Sequence, residues 1–116
     1  MGGRSTDLLQ GTLDMLIMHT LLGGKRHGYA IMNSIQDISD DVLSIEEGSL
    51  YPALHRLEAK GWIKSDWGIS ENRRRARFYR ITPTGRKQLT LERSLWEKLR
   101  MATDRVLEVR PSGSQG

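Results

Sequence analysis

Glu46-Glu47-Gly48-Ser49-Leu50-Tyr51-Pro52-Ala53-Leu54-His55-Arg56-Leu57-Glu58-Ala59-Lys60-Gly61 is the stretch on which the fold turns. Leu50, Leu54 and Leu57 recur at the spacing of one helix face. Ser49 is expected to cap that helix, with Glu46 and Glu47 favourable near the positive end of its dipole. Pro52 would then fall in the first turn, where its missing N–H costs nothing, and Gly61 would stop the helix after Lys60. The side opposite the leucines carries Ser49, Tyr51, Pro52, His55 and Arg56, a polar and donor-rich face.

Downstream, Ile63–Trp67 and Arg77–Ile81 read as two strands, the second alternating outward Arg with inward aromatic or aliphatic residues. The intervening residues 68–75, ending in Arg73-Arg74-Arg75, read as a polar hairpin tip. Upstream, Leu9, Leu13, Leu16 and Ile17 mark a first helix from Leu8 to Leu22, stopped by Gly23-Gly24. Lys25-Arg26-His27 connects it to a second helix from Gly28 to Ser39, with Ile31, Ile35 and Ile38 inward. Asp40-Asp41 ends that helix, and Val42-Leu43-Ser44-Ile45 is expected to add a short edge strand. Three helices followed by a hairpin is the winged helix-turn-helix order.

Thr82-Pro83 opens a last helix, with Thr as cap and Pro at the first position. Leu95, Leu99, Ala102, Val106 and Val109 repeat at spacings of three and four, a coiled-coil seam flanked by Leu89, Leu91, Trp96 and Leu107. Little chain remains to cover that stripe. Burial between two subunits is therefore expected, with Leu95, Trp96, Leu99, Ala102 and Val106 at the interface; packing back on the first helix is the alternative. The expected class is mainly α with a small β-hairpin (α+β). Its parts are a flexible start over 1–7, a winged domain over 8–82, a dimerisation helix over 83–109 and a disordered tail over 110–116.

The chain has 116 residues and no cysteine, which excludes a disulfide scaffold, thiolate-bound zinc and thiol catalysis. No apolar run is long enough to span a bilayer and no signal-like segment opens the chain, so a cytoplasmic protein without a membrane partner is expected. Only 37% of residues are hydrophobic against 28% charged, a balance that suits a protein sharing apolar surface with another subunit.

Charge is uneven. Residues 1–55 hold 3 Lys/Arg against 7 Asp/Glu, whereas residues 56–105 hold 14 against 6. The basic half looks like an electrostatic footprint for a polyanion. A helix enters the major groove when its outward side chains are polar and its inner face is anchored. The third helix meets both conditions: its hydroxyls, His55 and Arg56 suit phosphates and base edges, and Pro52 suits a thymine methyl. The Arg73-Arg74-Arg75 loop suits phosphates or a narrow minor groove. His27 and Tyr29, at the start of the second helix, are further candidates for contact. Plainer readings stand beside these. Tyr51 could brace the helix against the hairpin, His55 and His27 could be ordinary surface histidines, and Arg77 and Arg80 could pair with acids. His19 reads as a packed or partly exposed core histidine.

Gly48 to Glu58 with Gly61-Trp62-Ile63 resembles the signature of the PadR family of transcriptional regulators. Leu13, Leu16 and Ile17, then His27-Gly28-Tyr29-Ala30-Ile31, resemble its first two helices. Arg77-Phe78-Tyr79-Arg80-Ile81-Thr82 with Gly85 resembles its second wing strand and the start of its dimerisation helix. The likeness covers about Leu8 to Leu107 and is to the short members with one C-terminal helix. It implies a homodimeric repressor on a pseudo-palindromic double-stranded DNA operator, often released by a small molecule. It also implies DNA contacts from Ser49, Tyr51, Pro52, His55 and the wing arginines. In multidrug-sensing short members a tryptophan on the last helix stacks on flat aromatic ligands, and Trp96 lies at a matching offset from Gly85. The wing tip here is richer in Arg than the Gly-containing tips common in the family, which points to a larger phosphate contribution.

Other functions fit less well. The three histidines are scattered and no phosphate-binding glycine motif occurs, which argues against an enzyme and against any cofactor. His27 and His55 lack ligands at metal-binding spacing. A protein-docking winged helix is the remaining alternative, but it would not need three arginines on the wing.

Overall fold

The computed structural model describes the backbone of residues 3–109 and the side chains of residues 12–109; the expected tail over 110–116 lies outside the described residues. Helix α1 spans Gly3–Thr20, so it begins within the segment expected to be a flexible start. It buries Leu13, Ile17 and Met18 completely, while His19 is exposed. A single 3-10 turn over Leu21–Gly23 follows, and Gly24 takes φ 131°, a left-hand conformation that glycine adopts freely.

Strand β1 is only Arg26–His27. Helix α2, Gly28–Ile38, starts on His27, whose Nδ1 accepts the Ala30 N–H at 3.2 Å. Ile31 and Ile35 face the core, but Ile38, expected inward, is 80% exposed because it lies in the last turn beyond the packed face. Asp40 and Asp41 both take positive φ, 54° and 64°, which reverses the chain. The strand expected over 42–45 does not form; of that run only Ile45 is buried in the core. The third strand of the sheet is β1 instead, in the connector.

Helix α3 spans Glu47–Ala59, one turn of which lies ahead of the expected start. Glu46, not Ser49, is the cap residue: its carbonyl accepts the N–H groups of Ser49 at 2.9 Å and Leu50 at 3.0 Å. Pro52 therefore sits in the second turn, and α3 lacks the bond its N–H would have given the Gly48 carbonyl. The face read from the leucines holds: Leu50, Ala53, Leu54 and Leu57 are buried.

Strands β2, Ile63–Ile69, and β3, Arg75–Ile81, are each two residues longer toward the tip than expected and pair antiparallel from Ile63↔Ile81 to Ile69↔Arg75. With β1 on the other edge, the sheet order is β1-β3-β2. Alternation along β3 puts Arg75, Arg77, Tyr79 and Ile81 on one face and Phe78 and Arg80 on the other. The expected split of arginines outward and aromatics inward is thus only partial, since Arg77 shares the face of buried Tyr79.

Helix α4 spans Pro83–Glu108. Thr82 joins it to the sheet: its hydroxyl donates to the Gly61 carbonyl at 2.7 Å and accepts the Gly85 N–H at 3.0 Å. The Thr82 N–H donates to the Trp62 carbonyl at 3.0 Å. Gly85 packs so closely that a Cβ there would lie 2.0 Å from the Trp62 oxygen. Leu89 is the last α4 side chain to enter the core. Among the described residues no helix is long and apolar enough to cross a membrane.

Candidate nucleic-acid interface

Three elements converge beside the outer face of α3. Gly28, at the start of α2, is the reason Tyr51 can lie where it does: a Cβ on Gly28 would come within 2.8 Å of the Tyr51 hydroxyl. The Tyr51 ring lies against the start of α2 and beside the hairpin, yet remains 45% exposed. Pro52 and His55 are exposed on the same helix and Ser49 is half-buried. Tyr51 shares a groove with His27, Tyr29, Trp67, Arg75 and Tyr79. A second groove runs between Tyr29, Ala30 and Asn33 of α2 and Asn72, Arg74 and Arg75 of the wing.

His27 is more constrained than a loop histidine. Because Nδ1 accepts from Ala30, the neutral ring carries its proton on Nε2, leaving one donor for an outside group. Phe78 holds the ring edge-on at a centroid distance of 5.5 Å. Burial pushes the Tyr79 phenol up, so it stays protonated at neutral pH and serves as packing.

The wing tip is a tight turn. The Ser70 N–H donates to the Arg74 carbonyl at 2.8 Å, and the Arg73 N–H donates to the Ser70 carbonyl at 2.9 Å. Arg73 has φ 58°, a conformation that costs a residue with a Cβ about 1 kcal/mol. A glycine would sit there without that cost, but it would bring no charge. Arg73 and Arg74 are exposed, and among the described residues no acid lies within ion-pair distance of either.

Two expected members of the set are placed differently. Arg75 is the first residue of β3, not part of the loop, and its guanidinium lies over the Trp67 ring at 4.5 Å. Arg56 is turned toward α1, where its Nη2 meets the Asp14 carboxylate at 2.8 Å; its charge ties two helices together. Arg77 and Arg80 pair with acids, as the plainer reading had them, 3.8 Å from Glu58 and 3.8 Å from Asp66.

Trp67 and Asn33 line the grooves without having been singled out from sequence. A tryptophan facing two arginines across a strand pair is a usable signal, but only once the register is known. Asn33 carries no signal beyond its place two turns into α2.

On α4, Leu95 and Leu99 are 66% and 60% exposed, and Ala102 and Val106 are exposed as well. Trp96 stands between two hollows along α1, one lined by Met15, His19 and Arg93, the other by Asp14, Glu92 and Leu99. Among the described residues no group of three or more potential ligands could hold a metal ion.

A three-helix core with a recognition helix open on its outer side and a cationic wing beside it defines a winged helix-turn-helix protein. Comparison with known proteins gives the family. The profile described as the transcriptional regulator PadR-like family matches residues 17–91. A transcriptional regulator of Mycobacterium tuberculosis is 39% identical over 83 residues, 72% of this chain and 74% of the relative. Among solved structures, a transcriptional regulator from Clostridium thermocellum superposes with a TM-score of 0.78 at 35% identity, covering 85% of this chain and 96% of the other. A PadR family regulator from Eggerthella lenta does so with a TM-score of 0.78 at 29% identity, covering 94% and 93%. The chain belongs to the PadR-like family of transcriptional regulators.

Proposed function

We propose that this regulator is a homodimeric repressor that reads a pseudo-palindromic operator with α3 and the wing, and that a small planar ligand beside Trp96 releases it. The observation that carries the DNA reading is the groove that exposed Tyr51 on α3 shares with Arg75, beside a wing tip where Arg73 and Arg74 have no acidic partner among the described residues. Cations already neutralised by carboxylates add little to polyanion binding, whereas unneutralised ones release condensed counterions from DNA. Ser49, Tyr51, Pro52 and His55 serve base edges and nearby phosphates; His27 and Tyr29 serve the flanking backbone.

Dimerisation is supported by the exposed Leu95, Leu99, Ala102 and Val106 on a single helix. Covering them with a second α4 gives a two-fold axis, which matches two half-sites. The ligand reading is supported by the exposed Trp96 ring with an open hollow on each side.

Selection from a randomised duplex library at two salt concentrations tests the proposal. The expected result is an enriched palindrome with half-sites about one helical turn, roughly 34 Å, apart. Binding without enrichment that collapses as salt rises would overturn it, leaving a basic surface and favouring a docking role.

A further inference from the structure

The hairpin face toward α3 exposes a large aromatic side chain between two cations. Trp67 is 58% exposed, with the Arg75 guanidinium 4.5 Å and the Arg77 guanidinium 5.6 Å from its ring centroid. The register explains the arrangement: Trp67 is directly opposite Arg77, and Arg75 is two residues further along the same face of β3. A guanidinium stacked on an indole keeps its N–H edge free, so the contact fixes the side chain without consuming its donors.

The stack is also tied to the recognition helix. The Arg77 Nε–H donates to the Ser65 hydroxyl at 2.8 Å, and that hydroxyl donates to Glu58 Oε2 on α3 at 2.6 Å. Arg77 itself lies 3.8 Å from the same carboxylate. A continuous series of contacts thus runs from α3 through Glu58, Ser65, Arg77 and Trp67 to Arg75. Arg75 ends it with no acid of its own among the described residues, on the groove that Tyr51 lines.

We propose that Trp67 is a positioning residue for DNA binding: its ring holds Arg75 over the groove between α3 and the wing, ready to meet a phosphate. An arginine restrained before the duplex arrives gives up less rotamer freedom on contact, which is how preorganisation raises affinity. The alternative is that Trp67 only covers the hairpin, or touches DNA itself. This inference rests on the DNA-reading role above.

A double-mutant cycle in DNA affinity separates the readings, using the operator enriched from the library as probe. Wild-type binding is read first; its absence overturns the DNA-reading role, and this inference with it. Given binding, Trp67→Ala is expected to weaken affinity about threefold, the worth of the one exposed cation–π contact that holds Arg75 and less than the loss of Arg75 itself. Trp67→Phe, which keeps a ring face, stays within about 1.5-fold of wild type. Arg75→Ala costs about fivefold in the wild type and less than about twofold in the Trp67→Ala background, because the arginine it removes is already unheld. Should Trp67→Ala fail to fold, Trp67→Leu supplies apolar bulk without a π face and replaces it in the cycle. Equal losses for Arg75→Ala in both backgrounds, or a Trp67→Phe variant as weak as Trp67→Ala, would overturn the positioning role.

Discussion

Leu57 on α3 and Leu99 on α4 are the same side chain in the same kind of element, with opposite surroundings. The first is 0% exposed and the second 60%. Full burial of a leucine is worth about 2 kcal/mol in transfer free energy, and the winged core collects that contribution from Leu13, Leu50, Leu54 and Leu57. The stripe on α4 collects almost none of it after Leu89. The two regions therefore obey different rules. Packing within one chain fixes the first, whereas the second is an apolar face whose stabilisation depends on what covers it.

Substitutions can sharpen this contrast or break it. The largest effect on folding is expected for Leu57→Ala, about 3 kcal/mol lost by urea denaturation, from transfer and an unfilled cavity; a loss below about 1 kcal/mol would mean that the core around α3 is loosely packed. Gly85→Ala follows at about 2 kcal/mol, since its methyl must push α4 away from the Trp62 carbonyl. An unchanged urea midpoint there would show that the joint yields easily.

Leu99→Glu should leave far-UV circular dichroism unchanged and cost the isolated fold less than about 0.5 kcal/mol, as exposed sites do. Its effect belongs to assembly: sedimentation should find the wild type dimeric and the variant monomeric. A dimeric Leu99→Glu variant would place the subunit contact elsewhere.

Glu97 gives the smallest effect. The Arg100 hydrogen bond holds its carboxyl below the ordinary carboxylate value. A group with a depressed folded-state pKa contributes stability above its unfolded pKa and loses it as pH falls through the folded value. Glu97→Gln should therefore lower the thermal midpoint slightly at pH 7 and not at all near pH 2. A midpoint difference that persists in acid would assign the effect to packing instead.

The helical elements and the two long strands were legible because each carries its own period: leucines on one face of α3, alternation in the hairpin, the seam of α4. β1 was not, since two residues have no period and Arg26–His27 becomes a strand only by pairing with Phe78 and Tyr79. The run 42–45 misled for the converse reason: apolar content without a neighbouring strand edge to bond. The capping serine was misplaced because the Glu46 backbone carbonyl closes the first turn without side-chain help. Within the candidate site, Tyr51, Pro52, His55, Arg73 and Arg74 were legible as outward residues of recognisable elements. Arg56 is also paired with Asp14, 42 positions away in the chain, a contact no local pattern announces. Trp67 went unnoticed for the same reason, since its partners are assigned by register.

The joint at Thr82 and Gly85 has a mechanical consequence. Helix α4 has 26 residues, a rod of about 39 Å, gripped at its first turn by the Gly61 and Trp62 carbonyls just ahead of β2. Turned as one body, the rod and hairpin form a rocker. A sideways shift of about 3 Å at the far end of the rod is a rotation of roughly 4° at the grip. Carried along β2, about 20 Å from Ile63 to Ile69, the same rotation moves the wing tip by about 1.4 Å, more than the spread of distances over which a hydrogen bond survives.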